Sequence, residues 1–536
     1  MGRLLRRALL VCLSWGASAT FGQHSVSFEE AASEAGLRFT LDHSPTSEKR
    51  MIETMAGGLA VFDYDSDGRP DVFFTSGAAV PSLEKTGPRF WNRLFRNTGG
   101  GRFEDVTEKA GAAGAGYSMG AAAGDFDNDG RPDLFVAGVF RNLLYRNRGD
   151  GTFEDVTARS GVKGDRWSVA AGWFDYDNDR DLDLLVVNYA DWTIDDDRYC
   201  GDRDRNVRVY CHPKYFKPIA NQLYRNRGDG SFEDVSEVSG IAAFEGRGMS
   251  VAFADYDADG WTDAFVTNDN LPNFLFRNNG DGTFTEDALL AGVALLEHGK
   301  PVASMGADFR DFDNDSRPDL SVTALSGETF PLFRNEGDGL FTDATHASRL
   351  ARAAAPYAGW GNLFADFDND GWKDLFTANA HVNDRVELFE PYEYAQPNAV
   401  FLNRGGSFEE AVELGPRAAH RGAGVADFDG DGRLDAVVSV LGGPAELWLN
   451  RTQPAGSWIA FRLEGPASAL GACITLGQQT NCRTSSAGYA SSSLIDVHFG
   501  LGSQEKIPQA SIRWPSGAVE VLNDLRANRT VTVRAP

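Results

Sequence analysis

The apolar positions of this chain come in short runs with no helical stripe. Val72 to Thr75, Leu134 to Ala137 and Leu184 to Val187 are rich in β-branched and aromatic side chains, which predicts strands. Each run follows directly on an acidic segment. A second pattern is fullest from Leu144 to Thr157, LYRNRGDGTFEDVT, and its copies begin at Leu94, Leu223, Leu275, Leu332 and Phe401. It reads as strand, glycine-rich turn, strand. The two patterns alternate along the chain, and their repetition predicts an all-β fold.

The acidic segments are seven copies of one loop, Asp-x-Asp-x-Asp-x-x-x-Asp, with glycine at the sixth position in five of them. The candidate metal ligands of the first three copies are Asp63, Asp65, Asp67 and Asp71; Asp125, Asp127, Asp129 and Asp133; and Asp175, Asp177, Asp179 and Asp183. The next two copies supply Asp255, Asp257, Asp259 and Asp263, then Asp311, Asp313, Asp315 and Asp319. The last two supply Asp366, Asp368, Asp370 and Asp374, then Asp427, Asp429, Asp431 and Asp435. Three carboxylates alternating within five residues repel one another unless a cation sits among them. Oxygen-only ligands with no His or Cys nearby select a hard ion, calcium before magnesium, with up to seven Ca2+ in all.

An EF-hand requires a bidentate Glu at loop position twelve and flanking helices. Position twelve is Phe74, Val136 and Val186 in the first three copies, so that reading fails. What remains is a loop between strands, with carboxylates at positions one, three, five and nine and a carbonyl at seven as a fifth oxygen. Glycine at six allows a left-handed turn; Arg180 and Ser316 replace it in two copies, which predicts strain there. The alternative is a metal-free acidic turn held by Asx-type hydrogen bonds.

The loops start 62, 50, 80, 56, 55 and 61 residues apart, a period that suits a four-stranded propeller blade better than the alternative, a linear β-solenoid. The last repeat stops at Leu447 to Asn450 without its turn-and-strand half, and Phe28 to Ala31 near the N-terminus holds a stray copy of that half. The expected fold is a seven-bladed β-propeller closed by the N-terminal strand, plus a small C-terminal β domain. Strand-like runs at Trp458 to Leu463 and Ile512 to Trp514 mark that domain as a β-sandwich-like cap.

The formal charge of −26 argues against a nucleic-acid role. Twenty-eight of the 77 acidic residues sit in the loops, so the metal-free chain repels itself and the ion is expected to be part of the fold. Arg3, Arg6 and Arg7 precede an apolar stretch from Ala8 to Trp15, which predicts a signal peptide over residues 1–22 and a secreted or periplasmic chain with no membrane span. Export makes disulfides the default for the cysteines after Cys12. A two-residue turn at Gly477 and Gln478 puts Cys473 opposite Cys482, close enough to bridge, and Cys200 with Cys211 follows by elimination. Buried free thiols are the alternative.

The nonamer followed by LYRNxGDGxF resembles the FG-GAP/VCBS repeats of integrin-α-like propellers. Gly471-Ala472, Gly488-Tyr489, His498 to Gly502 and Arg513 to Gly517 look like an ASPIC/UnbV domain. Together these features are similar to the cartilage acidic protein family and its bacterial members. The resemblance implies a propeller over residues 23–452, an ASPIC/UnbV-like domain over 455–536, and a secreted calcium-binding module that binds an extracellular protein or glycan. Its oligomeric state is not implied.

Two further segments draw notice. The long interval between the third and fourth loops holds an insertion with Trp192, Tyr199, Tyr210 and the two cysteines, either a recognition loop or a flap over a blade edge. His43, Lys49 and Glu53 form a polar cluster before the first loop that could face the channel, though structural hydrogen bonding explains them better than catalysis. No nucleophile-elbow, zinc-protease or phosphate-loop motif occurs. The alternative function is a calcium-dependent enzyme acting on an extracellular polysaccharide or exported metabolite.

Overall fold

The structure, a computed structural model, describes residues 26–196 and 198–536; the expected signal peptide lies outside them. Among the described residues, seven antiparallel sheets are built on the repeats. In the second, Tyr117–Gly124, Asp133–Val139, Leu143–Asn147 and Phe153–Asp155 pair in turn. The acidic loop joins the first strand to the second, and the glycine-rich turn joins the third to the fourth. The seventh sheet, His420–Ala426, Asp435–Val440 and Glu446–Asn450, takes its fourth strand from Phe28–Glu30, with Phe28 opposite Asn450.

The first strand of each sheet lies beside the first strand of the next, and that of the seventh lies beside that of the first. Crowding there selects small side chains. Tyr117–Gly124 reads YSMGAAAG and is buried throughout. A Cβ on Gly120 would stand 2.4 Å from the Val169 carbonyl oxygen of the next sheet, so only glycine fits. Farther out, aromatic side chains fill the wedge between sheets; Phe126 stacks on Trp173 with centroids 6.1 Å apart.

The C-terminal domain has two sheets of its own. One orders Val497–Gly502, Ser457–Glu464 and Arg529–Arg534; the other orders Gln479–Cys482, Cys473–Leu476, Lys506–Arg513 and Val519–Arg526. They enclose Ile459, Phe461, Ile474, Phe499, Ile512 and Trp514. Leu476 pairs with Gln479 and Cys473 with Cys482, as the turn predicts. Both expected disulfides, Cys200–Cys211 and Cys473–Cys482, are formed.

What the sequence did not disclose is where this domain reaches. Residues 484–494 leave it and run, mostly buried, among the first strands of the repeat sheets. Ser485 Oγ accepts from Trp173 N (3.1 Å) and donates to Trp173 O (2.7 Å), while Ser486 Oγ donates to Val251 O (2.7 Å). Gly488 N donates to Ala307 O (2.8 Å), and Ala121 N donates to Ala490 O (3.2 Å). Ser492–Leu494 then adds to the first sheet, parallel to Leu59–Phe62. At the middle sits Tyr489, fully buried, its hydroxyl on Met55 O (2.6 Å) and its ring edge-on to Trp360. Serine suits this position because one hydroxyl both donates and accepts, satisfying strand groups that face no neighbour.

Tyr489→Ala is therefore expected to cost about 3–5 kcal/mol, the range for emptying a buried aromatic site. Val519→Ala, at the exposed start of the strand Val519–Arg526, should stay within about 0.5 kcal/mol of the parent. Urea unfolding followed by far-UV dichroism and tryptophan fluorescence distinguishes them; a Tyr489→Ala chain as stable as the parent would show that the segment does not hold the sheets.

Candidate functional site

Six of the seven acidic loops share one build, seen clearly in the second copy; in the fourth, Asp259 N donates to Asp257 Oδ1 (3.3 Å) instead of to Asp255. Asp125 at position one accepts from Asp129 N (3.0 Å) and Gly130 N (2.8 Å), which curls the loop on itself, and Asp129 accepts from Arg131 N (3.1 Å). Asp133 at position nine opens the second strand, fully buried, and takes Phe126 N (3.0 Å) and Asn147 N (2.7 Å). Asn128 at position four and Gly130 at position six both have positive φ, +55° and +84°. The glycine was legible as a turn; the left-handed fourth position was not.

One oxygen in every loop stands apart. Asp65, Asp127, Asp177, Asp313, Asp368 and Asp429, all at position three, each bury an Oδ1 with no hydrogen-bond partner, and in the fourth loop Asp255 Oδ1 takes that part. Carboxylate oxygens of positions one, three and nine converge within 4.8 Å in the first three loops. In the fourth and fifth loops, positions one, three and five converge in the same way. Burial, with the neighbouring carboxylates adding, pushes Asp71 up to about 8, Asp319 to about 9, Asp175 to about 7 and Asp125 to about 6. Buried acceptors without donors are costly. The donor set, all oxygen and all carboxylate, is one that a hard divalent cation takes.

An arginine next to the asparagine of the LYRN pattern, before it in the first five copies and after it in the last two, supplies fixed positive charge unequally. Arg96, Arg146, Arg404 and Arg451 pair with loop carboxylates, for example Arg96 Nε with Asp65 Oδ2 at 2.6 Å and Arg451 Nη1 with Asp429 Oδ2 at 2.6 Å. Arg225, Arg277 and Arg334 turn instead to Glu233, Asp287 and Glu336 outside the loops. In the fourth loop the cation comes from the C-terminal domain, where Arg513 reaches Asp255 Oδ2 at 3.2 Å.

The asparagine of the same pattern does something the sequence reading missed. Asn147 Nδ2 donates to Tyr64 O (2.7 Å), the second residue of the previous loop, and to Pro132 O (3.0 Å) of its own. Asn226, Asn278, Asn335, Asn403 and Asn450 repeat the bond to Phe126, Tyr176, Tyr256, Phe312 and Phe367. Asn97 makes it to Phe428 of the seventh loop (2.9 Å). The recurrence of Asn was visible; its partner, one whole repeat away, was not.

The other candidate residues fall at the opposite ends of the first strands from the loops. Lys49 pairs with Asp384 (2.5 Å) and its ammonium lies 5.4 Å from the Tyr210 ring centroid, so the insertion folds onto the segment before the first loop. Glu53 accepts from Thr46 N and Oγ1. Trp192 stacks on Phe140, and both Trp192 and Tyr210 are buried, which makes this part of the insertion a cover rather than a display. Among its aromatics only Tyr215 is well exposed. His381 accepts from Asn383 N and His420 lies between Asn379 O and Glu446, structural positions both.

Arg180 and Ser316 occupy the sixth position with φ of +77° and +72°. Arg180→Gly is therefore expected to stabilise the chain by about 1 kcal/mol, the cost of a left-handed non-glycine residue, measured as a shift in urea midpoint. A second outcome concerns pH. Burial, helped by Arg421, lowers His43 and His381 from the usual 6.5 to about 4. The unfolded chain then binds more protons between those values, so this contribution is full above about pH 6.5 and is lost as pH falls toward 4. Joint His43→Gln and His381→Gln substitution should flatten that decline.

Comparison with known proteins agrees with the repeat pattern. The FG-GAP-like repeat family model matches residues 63–136, 139–186, 196–266, 255–322 and 311–377, more than half of the chain, and the ASPIC and UnbV model matches 463–536. Cartilage acidic protein 1 of Mus musculus is 29% identical over 316 residues, 56% of this chain and 46% of that protein. The Homo sapiens protein of that name is 29% identical over 317 residues, 56% of this chain and 45% of its own length. The matched stretch thus spans less than half of these relatives. Among solved structures, an Agrocybe aegerita lectin that recognises non-reducing terminal N-acetylglucosamine aligns with TM-score 0.39 at 16% identity, covering 71% of this chain and 88% of its own. BBS1N in complex with ARL6DN aligns with TM-score 0.40 at 9% identity, covering 74% and 94%. The chain belongs to the FG-GAP-like repeat family and carries an ASPIC and UnbV domain at its C-terminal end.

Proposed function

We propose that this protein is a secreted or periplasmic, calcium-binding seven-bladed β-propeller, closed by Phe28–Glu30, that serves as a binding or adhesion module for an extracellular protein or glycan. The observation that carries the calcium reading is the buried, partnerless carboxylate oxygen found in each of the seven loops, beside two further converging carboxylates in the first five. A bound Ca2+ would be held by the carboxylates of positions one, three, five and nine, and would supply charge neutralisation rather than chemistry on a substrate. The pairing of Phe28–Glu30 with Glu446–Asn450, and the contact between first and seventh sheets, support a closed ring. Two disulfides support an exported chain. The binding role rests on the family: its repeats make rigid scaffolds whose loops and faces are free to vary.

The test is thermal melting in EDTA and across a CaCl2 titration. Each site should stabilise by RT ln(1 + [L]/Kd), about 2.7 kcal/mol at one hundred times Kd, so seven sites give a large rise that grows with concentration and is smaller with MgCl2. Asp177→Asn should lose one site's share of the calcium shift without lowering the melt in EDTA, because it removes a repelling charge that no arginine pairs with, Arg225 being turned to Glu233. A melt unmoved by calcium would sink the reading.

A further inference from the structure

Positive charge is shared unevenly among the seven loops, and the third, at 175–183, stands at one extreme. It holds a fifth acid, Asp181, at position seven, where the first, second, fifth and seventh loops hold Arg69, Arg131, Arg317 and Arg433. Those four arginines turn back to the position-five carboxylates of their own loops. In the sixth loop Arg404 pairs with Asp368 and Asp370, and in the fourth Arg513 pairs with Asp255. Among the described residues no carboxylate of the third loop has an ion pair. Arg225, its repeat arginine, pairs with Glu233 (2.6 Å), a carboxylate that Arg227 shares (3.4 Å). Arg180, at position six of the loop itself, is exposed and pairs with none of the five acids.

The C-terminal domain also passes this loop by. Arg462, Ala467, Arg513, Thr480, Gly502 and His498 each hydrogen-bond to one of the other six loops. Among the described residues no such bond reaches 175–183. Its neighbour there is the second loop, where Asn128 Nδ2 donates to Arg180 O (3.0 Å) and Asp181 Oδ1 (2.8 Å).

The ligand geometry is intact. Asp175 accepts from Asp179 N (3.1 Å) and Arg180 N (2.9 Å), and Asp183 accepts from Tyr176 N (3.2 Å) and Asn226 N (2.8 Å). The buried Asp177 Oδ1 has no partner, and oxygens of Asp175, Asp177 and Asp183 converge within 4.8 Å. The left-handed Arg180 does not count against an ion, because the loop's own hydrogen bonds fix that backbone and its cost is common to the filled and the empty loop. Affinity at an oxygen site rises with ligand charge, and a guanidinium on a ligand carboxylate repels the incoming ion. Resting on the calcium reading above, we propose that the third loop is the one tight calcium site of the chain and the first to fill. Asp181 and the holding of Arg225 on Glu233 set it apart from the six loops that arginine partly neutralises.

Calorimetric titration of the EDTA-stripped, desalted full chain with CaCl2 tests this. One equivalent should bind at least about tenfold more tightly than the rest, and the gap should narrow between about 0.01 M and 1 M NaCl as charge is screened. Asp177→Asn should remove that step, whereas Asp127→Asn, in the arginine-paired second loop, should keep it. Asp181→Arg leaves all four ligand carboxylates in place and installs the residue that four other loops carry. It should bring the tight step into the weaker class, a loss of at least about tenfold. The melt in EDTA checks the fold of each variant. A single class of equivalents, a tight step that survives Asp177→Asn, or one that Asp181→Arg leaves unchanged would each overturn the proposal. No calcium uptake at all sinks the calcium reading itself, whereas uptake in one class overturns only this ranking of the loops.

Discussion

One buried amide per repeat joins the sheets, and the rest of the architecture depends on it. Asn147 and its counterparts reach across to the carbonyl of the second loop residue in the preceding sheet. That carbonyl is presented correctly only while the loop keeps its curl, and the curl is held by the position-one carboxylate accepting two N–H groups of its own loop. The same curl brings the other carboxylates together. Concentrated negative charge is thus a consequence of the joint, and whatever balances it, arginine or cation, bears on how sheet holds sheet. Leaving a buried amide or carbonyl unpaired costs about 1–3 kcal/mol, so seven such joints act on the stability of the whole array.

The second constraint lies where the first strands meet. Their small residues bring backbones close, but crowding also turns polar groups toward a space that neighbouring strands cannot satisfy. Residues 484–494 meet that need with serine hydroxyls and backbone, and Tyr489 closes the centre. The C-terminal domain is therefore part of the core of the repeat array as well as a separate fold with its own core. An axial opening through the array is not available to a ligand where this segment runs, which moves attention to the space between the domains.

That space is bounded on one side by the acidic loops. Arg462 reaches Gly68 O (2.9 Å), Ala467 N reaches Asn128 Oδ1 (2.7 Å), and Gly502 N reaches Asn369 O (2.7 Å). These contacts fall on the fourth and sixth loop positions, the two with left-handed backbone. Loop conformation and domain position are consequently linked, and a change in the charge held by a loop is felt where the C-terminal domain rests on it.

The sequence alone determined what depends on neighbours in the chain. Seven acidic loops, the strands that follow them, the glycine-rich turns and the hairpin that sets Cys473 opposite Cys482 are all local, because turn chemistry and alternation are settled within a few residues. The repeat period and the stray copy at Phe28 extended that reading to the pairing of Phe28–Glu30 with the last repeat strand. Tertiary structure decided the rest. A stretch such as Ser485 to Ser493 has no periodicity, and its partners lie hundreds of residues away. Trp192 and Tyr210 could have been displayed or buried until Phe140 and Lys49 were placed beside them. Each loop looked alike in sequence, yet the partner of its charge, a repeat arginine in some and Arg513 in another, was set by which surface packed above it. Hydrogen bonds and charge pairs between distant segments follow from packing geometry, and no local pattern encodes them.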